Sequence, residues 1–483
     1  MDKILDKYDI TIGLEIHAEL NTATKAFCGC ANDFGSVPNT NCCPVCLAMP
    51  GALPVLNRMA VEKTIAAGIS MGCEINELGI FERKHYFYPD LSKAYQISQL
   101  VRPICLGGGI KLKSDKFIRL NRIHLEEDAG KLLHNAVSQT SLVDYNRGGV
   151  PLIEIVTEPD ISSIAEAIEF LEEVRSRLVF AGVADCRMEQ GGMRCDVNLS
   201  LKPKGATKLG NRAEMKNLNS FKMVGRAIEY EAKRQAEILD GGGKISPETR
   251  KWDESKGKTL PMRSKGDFQE YCYIPDPDIY PVRITREDVE KIRVKMPTLA
   301  HELRERLVTE FGLPEYDADV ITKTRDRAKF YLDCVAHYNE PKQISNWLMV
   351  DLLNRMNDLD LEDFPIAPKD FCDIIKMTQD KIVTKLVGLQ ILDEVIRLSL
   401  SSEWKAGSSV SELAKKMGLL VTVTDEQIIG ILDGLRKEKP NLPVDYLANK
   451  QKVLPFIIGQ VMKQTQGRAK SDIVEALIER TFK

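Results

Sequence analysis

No apolar run in this sequence approaches the roughly 18 residues that a membrane-spanning helix needs. At the N-terminus, Asp2, Lys3, Asp6 and Lys7 break up any apolar core, so the first residues do not read as a secretory signal. The expected compartment is the cytoplasm, with no membrane partner. A net charge of −3 excludes a protein-wide positive field, so any contact with nucleic acid must come from a local patch. Signature loops are missing as well. Gly257-Lys258-Thr259 comes nearest to a phosphate-binding G-x-x-x-x-G-K-[ST], but Trp252 occupies the place of its first glycine. H-E-x-x-H, G-x-S-x-G and G-x-G-x-x-G do not occur, which leaves no zincin, nucleophile-elbow or dinucleotide signature.

What is there is a globular composition, 43% hydrophobic and 28% charged, in a chain whose 483 residues suit two to four domains. Gly13-Leu14-Glu15-Ile16-His17-Ala18-Glu19-Leu20 alternates strictly. Strand side chains point to opposite faces with period two, so Leu14, Ile16, Ala18 and Leu20 can enter a core. Glu15, His17 and Glu19 then stand in a row on the other face, roughly 7 Å apart. Carboxylate and imidazole together suit a divalent cation.

Five of the twelve cysteines fall between Cys28 and Cys46. In a cytosolic chain such clustering reads as metal binding rather than a disulfide framework. Cys28-Gly29-Cys30 and Cys43-Pro44-Val45-Cys46 supply four thiolates in two turn-forming knuckles, a structural zinc pattern. Cys42 is the spare sulfur. Four thiolates leave no open position, so such a site stabilises a loop rather than performing chemistry.

Two further acidic segments follow. Arg122-Ile123-His124-Leu125-Glu126-Glu127-Asp128 sets three carboxylates in a row, costly without a cation. Pro151-Leu152-Ile153-Glu154-Ile155-Val156 reads as a buried strand around one Glu, which such a setting rarely holds unless it is paired or ligating. Between the cysteine loop and these segments, Arg83 to Asp90 and Lys93 to Gln99 interleave basic groups with aromatics, a pattern suited to phosphates and a stacked base. Arg194, Asp196 and Asn198 share one strand face, and Lys216 lies in a polar run nearby. Asp276-Pro277-Asp278 reads as a rigid turn.

Fold class reads as α+β. Residues 1–295 look strand-rich, with runs at 9–20, 117–125, 149–156, 193–201 and 211–216. One helix starts at Ser163, with Glu166 at capping-box spacing, and stops at Gly182. Another spans about 219–239, with Glu229, Glu231, Lys233 and Arg234 on its wet side. Residues 296–406 read as a helical domain and 407–483 as a small helical tail. In the tail, Thr424 and Gln427 form a capping box before the apolar stripe Ile428, Ile431, Leu432, Leu435.

Taken in order, Gly13 to His17, the cysteine loop, Lys84 to Gln99, Leu125 to Lys131 and Lys216-Asn217-Leu218-Asn219-Ser220-Phe221 resemble the B-subunit family of bacterial aspartyl/glutamyl-tRNA amidotransferases along nearly the whole chain. The resemblance implies an antiparallel-sheet cradle, then a helical domain, then a tail that contacts tRNA. It implies a ligase component in a heterotrimer with an amidase A subunit and a small C subunit. Such a chain uses ATP and Mg²⁺ to phosphorylate the side-chain carboxylate of misacylated Glu-tRNA(Gln) or Asp-tRNA(Asn). Ammonia from the amidase then gives Gln-tRNA(Gln) or Asn-tRNA(Asn). Carried over by residue, His17, Glu127 and Glu154 become Mg²⁺ ligands with Glu15 beside them. Strand alternation alone puts Glu126, not Glu127, on the face of His124, and a bend would reconcile the two. Lys84, Tyr86, Lys93, Tyr95, Gln96, Arg194, Asp196, Asn198 and Lys216 become contacts to nucleotide and acyl-tRNA. Lys463 to Lys470 offers a tRNA patch. The chain departs from the family at Cys272, where similar proteins read Arg, and at Cys42. The alternative reading is a zinc-stabilised tRNA-binding adaptor without catalysis.

Overall fold

The computed structural model describes all residues except 1, 136–138, 263–270, 360–362, 406, 407, 421, 422, 466, 468, 470 and 483. Its contacts divide the chain into two compact units, Met1–Ala300 and His301–Lys483.

The first unit is built on a ten-stranded sheet. The strands used below are β1 (Tyr8–Glu19), β2 (Glu82–His85), β3 (Tyr95–Ser98), β4 (Phe117–Glu127), β5 (Pro151–Thr157), β6 (Met193–Pro203), β7 (Ala213–Leu218), β8 (Glu248–Asp253), β9 (Lys258–Pro261) and β10 (Cys272–Pro275). The large sheet runs β9-β8-β7-β6-β1-β5-β4 and continues into short edge strands. β1 is central because both its faces have work to do. Ile10, Ile12, Leu14, Ile16 and Ala18 are 0–4% exposed, and each large apolar side chain so buried contributes about 1.5–3 kcal/mol. Opposite them in the same core lie Phe170, Leu171, Val174 and Leu178 of helix α1 (Ile164–Phe180), and Val224, Ala227, Ile228 and Ala232 of helix α2 (Phe221–Asp240). A separate sheet, β10-β2-β3, supplies the basic and aromatic side chains.

Every pair in the path just given is antiparallel except β7–β8, which is parallel. The reason is local. α2 lies between those two strands in the chain, and a helical crossover returns the chain in the same direction.

Helix ends follow their caps. The Ser163 side chain accepts a hydrogen bond from the Glu166 amide at α1. The box stays half made, since the Glu166 carboxylate goes to the Ser162 amide (2.8 Å) and Lys116 (2.7 Å) instead. Ser220 caps α2 by accepting from the Met223 amide. Glu231 corrects the expected wet side of α2: it is 0% exposed. The Arg234 guanidinium lies 2.6 Å from its carboxylate, Arg250 reaches it at 3.5 Å, and Thr259 donates to it at 3.1 Å. Helical spacing could not show that β8 and β9 would fold over this face.

In the second unit, residues 428–482 enclose their own core around Ile428, Leu432, Leu435, Tyr446, Ile457, Val461, Val474, Leu477, Ile478 and Phe482. Thr424 and Gln427 form a complete capping box. Of the segment Lys463 to Lys470, positions 466, 468 and 470 lie outside the described residues, as do 406 and 407 at the expected start of the tail. Among the described residues, no helix is long and apolar enough to cross a membrane.

Replacing Glu231 by Ala removes the buried carboxylate shared by Arg234 and Arg250 but leaves both paired with Glu248, at 3.0 and 2.8 Å, and should cost about 1.5–3 kcal/mol. Replacing Glu229 by Ala, on the same helix but exposed and paired with Lys233, should stay within about 0.5 kcal/mol. Denaturant midpoints of the two variants check the contrast.

Candidate functional site

Residues directly opposite one another in a sheet share a face. The register sets His17 of β1 against Glu154 of β5, Glu154 against His124 of β4, and His17 against Arg194 of β6. Four polar side chains thus form a row across four strands. Glu126 joins from the next step along β4. His17 Nε2 lies 3.3 Å from Glu154 Oε2 and 3.6 Å from Glu126 Oε1. His124 Nε2 lies 3.6 Å from each of the same two carboxylates.

His17, Glu126 and Glu154 offer ligand atoms all within 4.8 Å of one another. The His17 Nδ1 atom is buried without a hydrogen-bond partner. One imidazole and two carboxylates at this spacing fit a single divalent cation. The same closeness sets the proton affinities. Burial would lower the His17 pKa, but its hydrogen bond to Glu154 and that residue's charge outweigh burial and raise it. Burial would likewise raise Glu154, yet His124, His17 and Lys84 hold its carboxyl well below the ordinary range.

Glu127 is not brought into this group. β4 stays in register through Glu126↔Leu152 and Glu127↔Pro151, so no bend turns its side chain around. Alternation wins, and Glu127 faces the other way. There its carboxylate sits 2.7 Å from Lys93 Nζ and accepts from the Ile97 amide at 3.0 Å. Gln96 donates to the Glu127 carbonyl at 2.6 Å. Lys93 and Gln96 therefore serve Glu127 here.

Glu15 belongs to a second acidic group with Asp196 and Glu214, again within 4.8 Å. Asn198 donates to Glu15 at 2.9 Å, and Lys216 Nζ lies 2.8 Å from Glu214 and 3.3 Å from Asp196. Burial, then Glu154 and Glu214, push the Glu15 pKa up. Arg194 forks onto Asp128 at 2.9 and 3.1 Å. Burial and the nearby Asp128 raise Glu19 to about 7.

The β2–β3 sheet supplies cations. Lys84 Nζ lies 4.7 Å from the Tyr271 ring centre and 6.0 Å from that of Tyr86. Burial lowers its pKa, but negative charge, Glu126 foremost, outweighs it. The Tyr95 ring carries the Arg83 guanidinium at 4.5 Å. Arg83 in turn bonds Asp276 at 2.9 Å and Asp278 at 2.7 Å, so the expected rigid turn is also an anchor for an arginine. Cys272 is exposed, and its backbone pairs with His85.

In the cysteine loop, the Sγ atoms of Cys28, Cys30, Cys43 and Cys46 lie within 4.8 Å of one another. Cys46 Sγ is 3.5 Å from Cys28 and 3.7 Å from both Cys30 and Cys43. Thiolates set tetrahedrally about 2.3 Å from a zinc stand roughly 3.8 Å apart, so this cluster could bind such a metal. Cys42 stays outside it, 3.7 Å from Asn146 Oδ1.

Residues 10–290 match the family model described as the GatB/GatE catalytic domain, and residues 329–481 match the GatB domain. The chain is similar to the B subunit of the aspartyl/glutamyl-tRNA(Asn/Gln) amidotransferase of Caldanaerobacter subterraneus subsp. tengcongensis, with 44% identity over 477 residues and 98% of each chain covered. The protein of the same name from Caldicellulosiruptor saccharolyticus is 44% identical over 483 residues, again with 98% of each covered. That of Persephonella marina is 43% identical over 483 residues, with 99% of this chain and 100% of the relative covered. With both domains matched in order and near-complete coverage of these relatives, the chain belongs to the GatB/GatE family.

Proposed function

We propose that this chain is the B subunit of a cytoplasmic tRNA-dependent amidotransferase, working with an amidase A subunit and a small C subunit. Its substrates are ATP and tRNA(Gln) misacylated with Glu, or tRNA(Asn) misacylated with Asp. A side-chain carboxylate oxygen attacks the γ-phosphorus, and the bond to ADP breaks. The nitrogen of ammonia then attacks the acyl carbon, phosphate leaves, and a proton is lost. The names of the relatives support the overall reaction. The observation that carries the chemical reading is the group of His17, Glu126 and Glu154 on the polar, largely enclosed face of the sheet.

Phosphoryl transfer asks for position and charge neutralisation rather than a protein nucleophile. A bound Mg²⁺ supplies Lewis acidity to the phosphates. His17, Glu126 and Glu154 are the residues that would hold it, with Glu126 in the place the family resemblance gives to Glu127. Lys84 brings positive charge beside Glu126 and Glu154. Arg194 and Lys216 border the same face, and with Tyr86, Tyr95, Asp196 and Asn198 they form the surface on which nucleotide and acyl-tRNA are read. Lys93 keeps Glu127 fixed at the margin. The four-cysteine loop carries zinc as a structural element.

Two outcomes test this. Glu126→Gln and Glu154→Gln in the reconstituted complex should each weaken Mg²⁺ binding roughly 10–100-fold and lower tRNA-dependent ATP turnover with it. Binding of tRNA in filter or anisotropy assays should stay nearly unchanged, and unaltered amidation by Glu154→Gln would favour a non-catalytic adaptor. Glu127→Gln separates the two ligand assignments. It should leave Mg²⁺ affinity near that of the unsubstituted protein, and a loss there with none for Glu126→Gln would return Glu127 to the ligand set.

A further inference from the structure

Lys25 is 0% exposed, a rare state for a lysine unless its charge is met. Its ammonium lies 3.5 Å from Cys46 Sγ and donates to the Tyr145 carbonyl at 3.2 Å. The carbonyl carries no formal charge. Glu127 and Asp128 line the same cavity as Lys25, but both are engaged: Glu127 by Lys93 at 2.7 Å, Asp128 by Arg194 at 2.9 Å and Arg147 at 3.7 Å. The stem of Lys25 packs beside Gly149, whose φ is +84°.

The cysteine cluster has the opposite deficit. Four thiolates around a divalent metal leave a net charge of about −2, and at Cys46, the buried one of the four, uncompensated charge is expensive. An N–H donated to a coordinated sulfur lowers that cost and fixes the ligand's direction. Resting on the reading that the four cysteines hold metal, we propose that Lys25 is the positioning residue of that site: its ammonium donates to the Cys46 sulfur, offsets the tetrathiolate charge, and ties the metal to the loop at Tyr145. The same cysteine is tied to the Lys93 segment, because Ser92, next to Lys93, donates to the Cys46 carbonyl at 2.6 Å. Cys46, Lys25 and the Lys93–Glu127 pair thus line one cavity.

The test compares Lys25→Met, which keeps the stem and removes the charge, with Lys25→Arg, which keeps a donor and a charge. Full-length chain is loaded with zinc, and release to a chromogenic chelator is timed. Melting is followed for loaded and metal-free samples. Lys25→Met should release zinc roughly 10–100-fold faster, and Lys25→Arg should recover most of the difference. Lys25→Met should lower the melting temperature of the loaded protein only, since the metal-free form no longer buries an unmet charge. Zinc release at the unsubstituted rate from Lys25→Met overturns the proposal. So does an equal melting loss in both forms, which marks a packing role alone. A chain of natural sequence that takes up no zinc overturns the metal reading itself, a result distinct from either.

Discussion

Two carboxylates brought within reach of one imidazole cannot all keep their ordinary charge states, and the first unit is arranged around that constraint. Glu126 and Glu154 approach His17 and His124 closely enough that positive charge has to stand between them. Around the group the chain sets Lys84 behind aromatic rings, Arg194 forked onto Asp128, and Lys216 between Asp196 and Glu214. Each of these cations already has a partner or a ring face. The site is therefore a balanced set of charges rather than a basic patch, in keeping with the near-neutral chain as a whole.

The other side of the sheet makes this arrangement rigid. The apolar half of β1 is sealed by α1 and α2, and its register fixes which polar residues meet on the far face. A slip of one residue would exchange core and site completely, because the side-chain period is two. The buried pair Glu231 and Arg250, with Arg234 at its margin, pins α2 to β8, the strand that enters the sheet by the parallel crossover.

Much of this is legible in the sequence where a single element decides the matter. Alternation locates β1, β4, β5, β6 and β7 to within a few residues, and Ser163 and Thr424 mark real helix starts. Cys42 is separable from the other four cysteines by spacing alone. The failures concern residues whose fate depends on a second element far along the chain. Glu231 reads as wet because the strands that cover it lie downstream. Asp276 and Asp278 read as a plain turn because their partner, Arg83, stands 193 and 195 residues earlier. For Glu126 and Glu127 the period-two argument and the family resemblance disagree, and the geometry follows the period. Lys25 gives no signal at all, since nothing local reveals which lysine a fold will enclose.

The pairing of β1 has a consequence for how the chain comes to be made. Its neighbours are β5, with His17 opposite Glu154, and β6, with His17 opposite Arg194. On the ribosome, the first long strand emerges well before either companion has been translated. For that interval its unpaired edges have no native mate, which is the situation in which nascent chains associate wrongly or recruit chaperones. Closure of the sheet around β1 therefore waits until Pro203, the last residue of β6, has left the exit tunnel. β7, β8 and β9, made later still, then extend the sheet from the edge of β6.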